Sequence, residues 1–231
     1  MPAIKIGKEW RIASEDIRSS AKPPIIKSLP PDHPVAASAS GSSIRWSSRA
    51  TDRHSVAFCP QAADVYALEA AFFRAGAEAN CQMMKGCWWQ RPAELAERYA
   101  DSDLDIEELE REGYLTVVDL QAAYQSGGSR AAVGLWQQAL ADCQTATLWA
   151  AGSPAPQCFS QGGTAAMLDF EAQLDRALTN QPIVGLCSYN LADLTTGAYL
   201  LITALARRHS SLLLVADDQL LSFSPNETSA E

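Results

Sequence analysis

The chain has 231 residues, of which 47% are hydrophobic and 19% charged, and its net charge is −9. This composition excludes a disordered or fibrous protein because it supplies enough apolar residues for a core, and no apolar run approaches the roughly 20 residues of a bilayer-spanning helix. The N-terminus carries Lys5, Lys8 and Glu9 where a signal peptide would be apolar, so we expect a cytoplasmic protein whose six cysteines stay reduced.

The first predicted element is a two-stranded hairpin. Residues 3–12 alternate apolar and polar types on each side of Gly7-Lys8, which is typical of two short strands joined by a tight turn. Ser14 follows as a helix-capping residue, and the acids after it complement the dipole of a helix. Residues 1–20 are therefore predicted to form a hairpin and a short helix.

Basic residues are concentrated in the N-terminal part of the chain. Residues 1–53 carry nine Lys and Arg against five Asp and Glu, whereas residues 54–231 carry nine against 22. Phosphate binding needs clustered basic side chains, and an acidic body repels a polyanion. Only the N-terminal part is therefore expected to favour nucleic acid.

The rest of the chain divides into a predicted linker and an α/β body. Residues 21–52 are rich in Ser, Ala and Pro without a sustained apolar period, which predicts a disordered linker. Beyond it, short apolar runs alternate with amphipathic segments. Strands are predicted at 55–59, 81–89, 115–118, 147–150, 183–187, 212–215 and 220–223, and helices at 62–79, 92–99, 131–141, 165–178 and 198–207.

This alternation predicts the fold class. Parallel neighbours in a sheet need long return connections, and the helices between the strands supply them. We therefore expect a three-layer α/β domain with a mostly parallel sheet and helices on both faces. The first strand is followed by Pro-Gln-Ala-Ala-Asp rather than G-x-x-x-x-G-K-[ST], so the loop that cradles nucleotide phosphates is missing.

Several short stretches of the body occur together in a characteristic order. They are His54-Ser-Val-Ala-Phe58, Cys87-Trp88-Trp89, Gly152, Phe170-Glu171, Leu186-Cys-Ser-Tyr-Asn190 and His209. With this set, residues 54 to about 215 resemble the MEDS family, the methanogen/methylotroph sensory domain found in the dichloromethane dehalogenase repressor. We assign residues 53–223 to this domain and residues 224–231 to a disordered tail.

The resemblance implies a fold and a type of function. The family is similar to RecA-like proteins that have lost the P-loop, and it is regarded as a sensor of small hydrocarbon-derived molecules. Four positions depart from the family pattern and bear on the ligand more than on the fold. Cys59 replaces an aromatic residue, Ser153 and Asn190 stand where acids are usual, and Ser210 replaces a proline.

A second resemblance concerns the N-terminus. Residues 2–12, which read P-A-I-K-I-G-K-E-W-R-I, look like the wing of an excisionase/MerR-type winged helix-turn-helix. In that family two helices precede the wing and enter the DNA major groove, so the resemblance implies a truncated module without its recognition helix. Lys5, Lys8 and Arg11 are the candidate DNA-contacting residues, and wing residues of this kind contact phosphates or the minor groove.

Three candidate ligand-binding residues follow from the ends of the predicted strands. His54 and His209 flank core strands and could meet at one end of the sheet, either to bind a ligand or only to cap backbone groups. Cys187 is the best candidate for a reactive thiol, with a small buried core residue as the alternative. With three histidines in the chain and no C-x-x-C pair, we expect no metal site.

Three further candidate ligand-binding residues are Trp88, Glu171 and Tyr189. Trp88 and Trp89 should point to opposite faces of the sheet, so that one belongs to the core and the other could line an apolar pocket. Glu171 lies on a helix that is otherwise apolar on one face, where it could contact a ligand or only solvent. Tyr189 follows just beyond Cys187.

These observations predict a ligand-sensing transcriptional regulator. A non-catalytic α/β domain would bind an unknown small molecule at the carboxyl edge of the sheet, without a cofactor, and would act through DNA if the helix-turn-helix is complete. The alternative is an interaction module that acts through a protein partner or a homodimer after loss of DNA binding. A third possibility is an enzyme that uses Cys187 or Glu171.

Overall fold

The computed structural model describes residues 3–6, 9–12, 44, 46, 54–159, 163–194, 198–216 and 219–223. The strands are β1 (Ala3–Ile6), β2 (Glu9–Ile12), β3 (His54–Cys59), β4 (Gln82–Cys87), β5 (Leu115–Asp119), β6 (Leu148–Gly152), β7 (Ile183–Asn190), β8 (Ser211–Ala216) and β9 (Gln219–Phe223). The helices are α1 (Ala62–Glu78), α2 (Leu95–Ala100), α3 (Ile106–Arg111), α4 (Leu120–Asp142), α5 (Thr164–Leu178) and α6 (Ala198–Ala206).

Within the described residues, all of the strands belong to one sheet with the order β2-β1-β5-β4-β6-β7-β3-β8-β9. The central strands, from β5 to β8, run parallel to one another. The first hairpin and β9 add antiparallel strands at the two edges. The mostly parallel sheet expected from the strand and helix alternation is therefore confirmed.

Helices cover both faces of the sheet and enclose two apolar cores. One core lies under α1, α2 and α3, with Phe72, Phe73 and Trp149 among its buried members. The other lies under α4, α5 and α6, with Trp136 and Phe170 among its members. Because side chains alternate along each strand, neighbouring strand residues contribute to opposite cores.

Two helices differ from the predicted pattern. Helix α3 was not predicted, because three of its six residues are glutamates, which leaves little apolar period to detect. Helix α4 begins at Leu120, well before the predicted start at 131, and its backbone is non-helical at Gly127 and Gly128. Gly128 has φ +65°, a conformation that favours glycine, and this kink hid the first turns of the helix from the sequence pattern.

The N-terminal residues partly extend the sheet. Strands β1 and β2 form the predicted hairpin, and Ile4 of β1 pairs with Val118 of β5. The predicted helix after Ser14 lies outside the described residues. Within the span predicted as a linker, Ile44 is 2% exposed and Trp46 packs edge-on against Phe72 with ring centroids 4.9 Å apart. At least these two residues therefore belong to the packed body.

The described helices were expected to contain no membrane-spanning segment. Among them, none combines the length and the hydropathy that a bilayer-spanning segment requires.

Candidate ligand-binding site

Four candidate residues from separate parts of the chain converge under α5. His54 is the first residue of β3, and Cys187 lies on the adjacent strand β7, where it pairs with Val56. Glu171 projects from the middle of α5, and His209 occupies the turn between α6 and β8. Because β7, β3 and β8 are lateral neighbours, the sheet order brings these distant residues to one place.

The four side chains are buried and in mutual contact. His54 Nε2 lies 3.3 Å from Cys187 Sγ, and Cys187 Sγ lies 3.6 Å from Glu171 Oε2. His209 Nε2 lies 3.6 Å from the same Glu171 oxygen. The two imidazole rings have centroids 4.1 Å apart. We call His54, Glu171, Cys187 and His209 the four-donor cluster.

Tyr189 completes the surroundings of Glu171. Residues 187 and 189 share one face of β7, and the phenol of Tyr189 donates a hydrogen bond to Glu171 Oε1. The sequence-based candidates Glu171, Tyr189, Cys187 and the two histidines therefore meet in the interior. His54 and His209 nevertheless lie at the amino ends of β3 and β8, so the cluster is not at the carboxyl edge where we expected a ligand.

Burial controls the protonation of this cluster. Desolvation raises the pKa of Glu171 above its usual value, against the opposing influence of His54 and the hydrogen bond from Tyr189. Desolvation, reinforced by His54, holds the pKa of His209 well below its usual value. Burial also raises the pKa of Cys187 well above its usual value, and Glu171 adds to that shift. A thiol in this state is a poor nucleophile, which argues against catalysis by Cys187.

Two ring nitrogens at this place have no hydrogen-bond partner among the described residues. They are His209 Nε2, which faces Glu171, and His54 Nδ1. The other nitrogen of His209, Nδ1, is bonded to the carbonyl oxygen of Leu205 at 2.8 Å. His54 Nδ1 lies 3.7 Å from Asp175 Oδ1, which is close but longer than a hydrogen bond.

A surface hollow of about 170 Å³ is lined by His54, one member of this cluster. It opens beside His54 at the end of α5. Its other lining residues are Asp175, Leu178, Thr179, Asn180 and Ser210. A second hollow of about 230 Å³ lies between α1 and α2, and none of the candidate residues lines it. Of these two hollows, the first is therefore the one that contacts the four-donor cluster, through His54.

The remaining candidates lie elsewhere. Strand β4 ends at Cys87, so Trp88 and Trp89 follow the strand and do not close it as predicted. Trp88 packs against Phe170 with ring centroids 4.9 Å apart, while Trp89 packs against Tyr66 on the other face, as the predicted alternation requires. Trp88 is 3% exposed and is a core residue here.

Two of the three DNA-binding candidates lie in the strands of the N-terminal hairpin. Lys5 is in β1 and Arg11 is in β2, whereas Lys8 lies outside the described residues. Their contact with DNA stays a prediction.

A second polar site, on the opposite face of the sheet, was missed by sequence reasoning. Glu69 of α1 and Lys85 of β4 form an ion pair in which both side chains are completely buried. The signal was present, because Lys85 is the single lysine of residues 54–231 and stands within an apolar strand. We call Glu69, Lys85 and the groups bonded to them the buried ion-pair network.

The network satisfies both oxygens of Glu69. Lys85 Nζ donates to Oε1 at 2.8 Å and to Oε2 at 2.7 Å. Ser153 and Ser188 also donate to Oε1, and Gln90 and Tyr99 donate to Oε2. Burial opposes ionisation, but the charge of Lys85 and these hydrogen bonds hold the pKa of Glu69 below its usual value. A carboxylate with this many donors is a structural anion rather than a general base.

The connection between β3 and α1 contains no phosphate-binding loop. Only Pro60 and Gln61 separate the strand from the helix. The backbone N–H of Gln61 donates to Asp64 Oδ2 at 3.1 Å, so a carboxylate from the first turn of α1 caps the start of the helix. An acid in the first turn repels a phosphate at this helix end.

Comparisons with known proteins agree with this architecture. Residues 53–210 match the family model described as MEDS, the MEthanogen/methylotroph, DcmR Sensory domain. No curated protein matches the chain. Among solved structures, a KaiC-like protein from Pyrococcus horikoshii OT3 is similar with a TM-score of 0.60 and 10% identity, over 83% of this chain and 90% of that chain. This likeness confirms the predicted RecA-like α/β fold.

Proposed function

The chain belongs to the MEDS family of sensory domains, and from this premise we propose that it binds a small molecule in the hollow beside His54 and passes that signal to transcription. The observation that carries the proposal is the contact between this hollow and the buried four-donor cluster. A ligand there would contact His54 of the cluster together with Asp175 and Ser210, and a few such polar groups give a small-molecule site its orientation and specificity.

The dimensions of the hollow favour a very small ligand. Its volume of about 170 Å³ is below the roughly 300–1,000 Å³ typical of sites for drug-sized molecules. His54 and Asp175 supply polar groups, and Leu178 supplies an apolar wall. A one- or two-carbon compound with one polar or polarisable group fits this lining, in agreement with the hydrocarbon-derived ligands that the family resemblance implies.

The ligand can influence the strands that carry the cluster. Ser210 lines the hollow and exchanges hydrogen bonds with the backbone of His54, accepting at 3.1 Å and donating at 2.8 Å. A molecule that contacts both residues changes the free energy of the local packing of β3 and β8. Such a ligand shifts the protein between conformations only by its differential affinity for them.

Thermal unfolding of the full chain tests the small-molecule part of the proposal. Methanol, methylamine and dichloromethane are the probes, and at least one should raise the Tm with a saturable dependence on concentration. A free ligand concentration of one hundred times Kd stabilises the folded protein by about 2.7 kcal/mol. The Thr179→Trp variant, which fills the hollow from an exposed position, should lose the effect.

The matched control is Gln137→Trp, at an exposed position on α4 away from the hollow. It should keep the wild-type response. A response that survives in Thr179→Trp, or the absence of any saturable response among the three probes, contradicts the proposed ligand site.

The transcriptional part rests on the wing resemblance and on the basic N-terminal residues. An electrophoretic mobility shift with duplex DNA from the region upstream of the gene should show binding that weakens steeply with salt. Replacing Lys5, Lys8 and Arg11 together with Ala should abolish the shift. If the wild-type chain gives no shift at low salt, the interaction module is favoured instead, because the β1–β2 hairpin already pairs with the edge of the sensory sheet.

A further inference from the structure

The four-donor cluster has the composition of a metal site. Its potential ligand atoms, two imidazole nitrogens, a thiol sulfur and a carboxylate oxygen, all lie within 4.8 Å of one another. All four residues are buried. Although three histidines in the whole chain argued against such a site, two of them meet here. Nitrogen, sulfur and oxygen donors in one place are the set that zinc and related divalent transition metals prefer.

The spacing of the donors suits a tetrahedral ion. Ligand atoms bonded to zinc at about 2.0–2.3 Å lie about 3.3–3.7 Å apart around a tetrahedron. Three neighbouring pairs in the cluster have this separation: His54 with Cys187 at 3.3 Å, Cys187 with Glu171 at 3.6 Å, and Glu171 with His209 at 3.6 Å. The widest pair, at 4.8 Å, closes by about 1 Å when the ion binds.

The outer contacts of the histidines orient the correct nitrogens inward. His209 Nδ1 is bonded to the Leu205 carbonyl, so it carries the proton and leaves Nε2 with a free lone pair that faces Glu171. His54 turns Nδ1 toward Asp175 and Nε2 toward Cys187. Metal-binding histidines commonly donate their second N–H to a carbonyl or a carboxylate in this way.

The buried His209 Nε2 atom gives independent support. The His209 side chain is 0% exposed, and this nitrogen has no hydrogen-bond partner among the described residues. Leaving a buried polar atom unpaired is costly, and it is rare in native structures unless a water or an ion supplies the partner. A metal ion between His209 and Glu171 removes this cost.

The charge balance points in the same direction. Among the described residues the two fully buried carboxylates, Glu69 and Glu171, lie on opposite faces of the sheet, and Glu69 has Lys85 as its counter-ion. Within the described part of the chain, Glu171 has no lysine or arginine partner and faces His54 and His209 instead. A divalent ion supplies the positive charge that a buried carboxylate and a thiolate need.

We propose that His54, Glu171, Cys187 and His209 bind one divalent transition-metal ion of the zinc type through Nε2, a carboxylate oxygen, Sγ and Nε2. The site has four protein ligands, so the ion is closed off by the chain and links β3, α5, β7 and the turn before β8. Tyr189 and Asp175 act as positioning residues, since each contacts a ligand from outside. This inference goes beyond the proposed function and holds whether or not the hollow binds a small molecule.

Metal content and cobalt spectroscopy test the proposal on the full chain. The protein purified without chelator should contain about one equivalent of zinc by mass spectrometry. After the metal is removed, Co²⁺ should give a sulfur-to-cobalt charge-transfer band in the near ultraviolet and the intense visible bands of a tetrahedral site. Zinc should displace cobalt, and proton release on binding should make the affinity rise with pH.

Variants identify the ligands. Cys187→Ser should abolish the charge-transfer band, whereas Cys158→Ser, another buried cysteine, should retain it. Asp175→Asn, a change at a half-buried position outside the ligand set, should lower metal affinity by about 10- to 100-fold without loss of the band. Circular dichroism of each variant establishes that the fold is retained.

Two results would overturn the proposal. One is a wild-type chain that gives no charge-transfer band with cobalt and contains no bound zinc. The other is a folded Cys187→Ser variant that keeps the band, which would assign the sulfur ligand to a different cysteine. Neither readout depends on the small-molecule probes, so failure of the metal site and failure of the sensory hollow are distinguishable.

Discussion

Lys85 holds Glu69 through both carboxylate oxygens, at 2.8 and 2.7 Å, with neither side chain exposed to solvent. The pair joins the middle of α1 to the middle of β4. Ser153, directly after the end of β6, and Ser188 of β7 extend the connection to the two neighbouring strands. One buried ion pair therefore links a helix to three adjacent strands on the face opposite the four-donor cluster.

Removing the cation of this pair should destabilise the protein strongly. In Lys85→Met, Glu69 is left buried without a counter-ion, and we expect a loss of about 3–5 kcal/mol in the free energy of unfolding, measured with urea. The double variant Lys85→Met, Glu69→Gln should recover part of this loss because it removes the unpaired charge. Equal stability of the single and double variants would contradict the role given to the charge.

Replacing Lys85 with Met should also reverse the contribution of Glu69 to the pH dependence of stability at acid pH. In the wild type the folded pKa of Glu69 is below its usual value, so its contribution is present above the unfolded pKa and is lost as pH falls through the folded pKa. In Lys85→Met the ammonium no longer opposes desolvation, and we expect desolvation to outweigh the remaining hydrogen bonds and to raise the folded pKa of Glu69 above its usual value of 4.5. Stability is then lost as pH rises above 4.5. Urea unfolding at pH 4 and pH 7 should therefore show a smaller difference between wild type and variant at pH 4.

Two glycines should respond oppositely to alanine. At Gly86 an added Cβ would lie 2.3 Å from Leu120 Cδ1, so Gly86→Ala should cost about 1–3 kcal/mol through overpacking. At Gly134 in α4 no atom beyond its chain neighbours and the backbone of its own helix lies within 4 Å of the added Cβ, and Gly134→Ala should stabilise by about 0.5–1 kcal/mol through helix propensity. Chemical unfolding of both variants measures the difference, and a change of the same sign in both would refute the packing argument.

The six cysteines should differ in their reaction with a thiol reagent. Cys81 and Cys143 are partly exposed and should react first, while the other four are buried. Cys187 should react only as fast as the domain opens, because burial raises its pKa well above the usual value. Mass spectrometry of labelled peptides follows each site. Labelling of Cys187 ahead of Cys81 in the native protein would revive the idea of a nucleophilic enzyme.

Much of the fold was predictable from local patterns. The helix at 165–178 and the strand at 212–215 match α5 and β8 closely, because the helix has a clear apolar period and the strand is a continuous apolar run. Helix α3 was missed because six residues with three glutamates give too short a pattern. The early turns of α4 were missed because the kink at Gly127 and Gly128 divides that helix.

The sequence predicted which residues belong to the candidate site, but it did not predict where they meet in the fold. His54, Cys187 and His209 were recognised at strand ends, yet their mutual contact depends on the neighbours β7, β3 and β8 in the sheet. Glu69 and Lys85 were not recognised as a pair. Their separation of 16 positions has no local meaning, since the contact runs between a helix and the sheet beneath it.

The sequence by itself determined the alternation of strands and helices and the absence of a phosphate-binding loop, because both depend on the residue types within short segments. Only the tertiary structure decided which polar side chains meet, and it separated a carboxylate neutralised by Lys85 from one that faces two histidines and a thiol. The physical reason is that strand order and register set lateral neighbours in a sheet, and residues more than one hundred positions apart become partners only when that order is known.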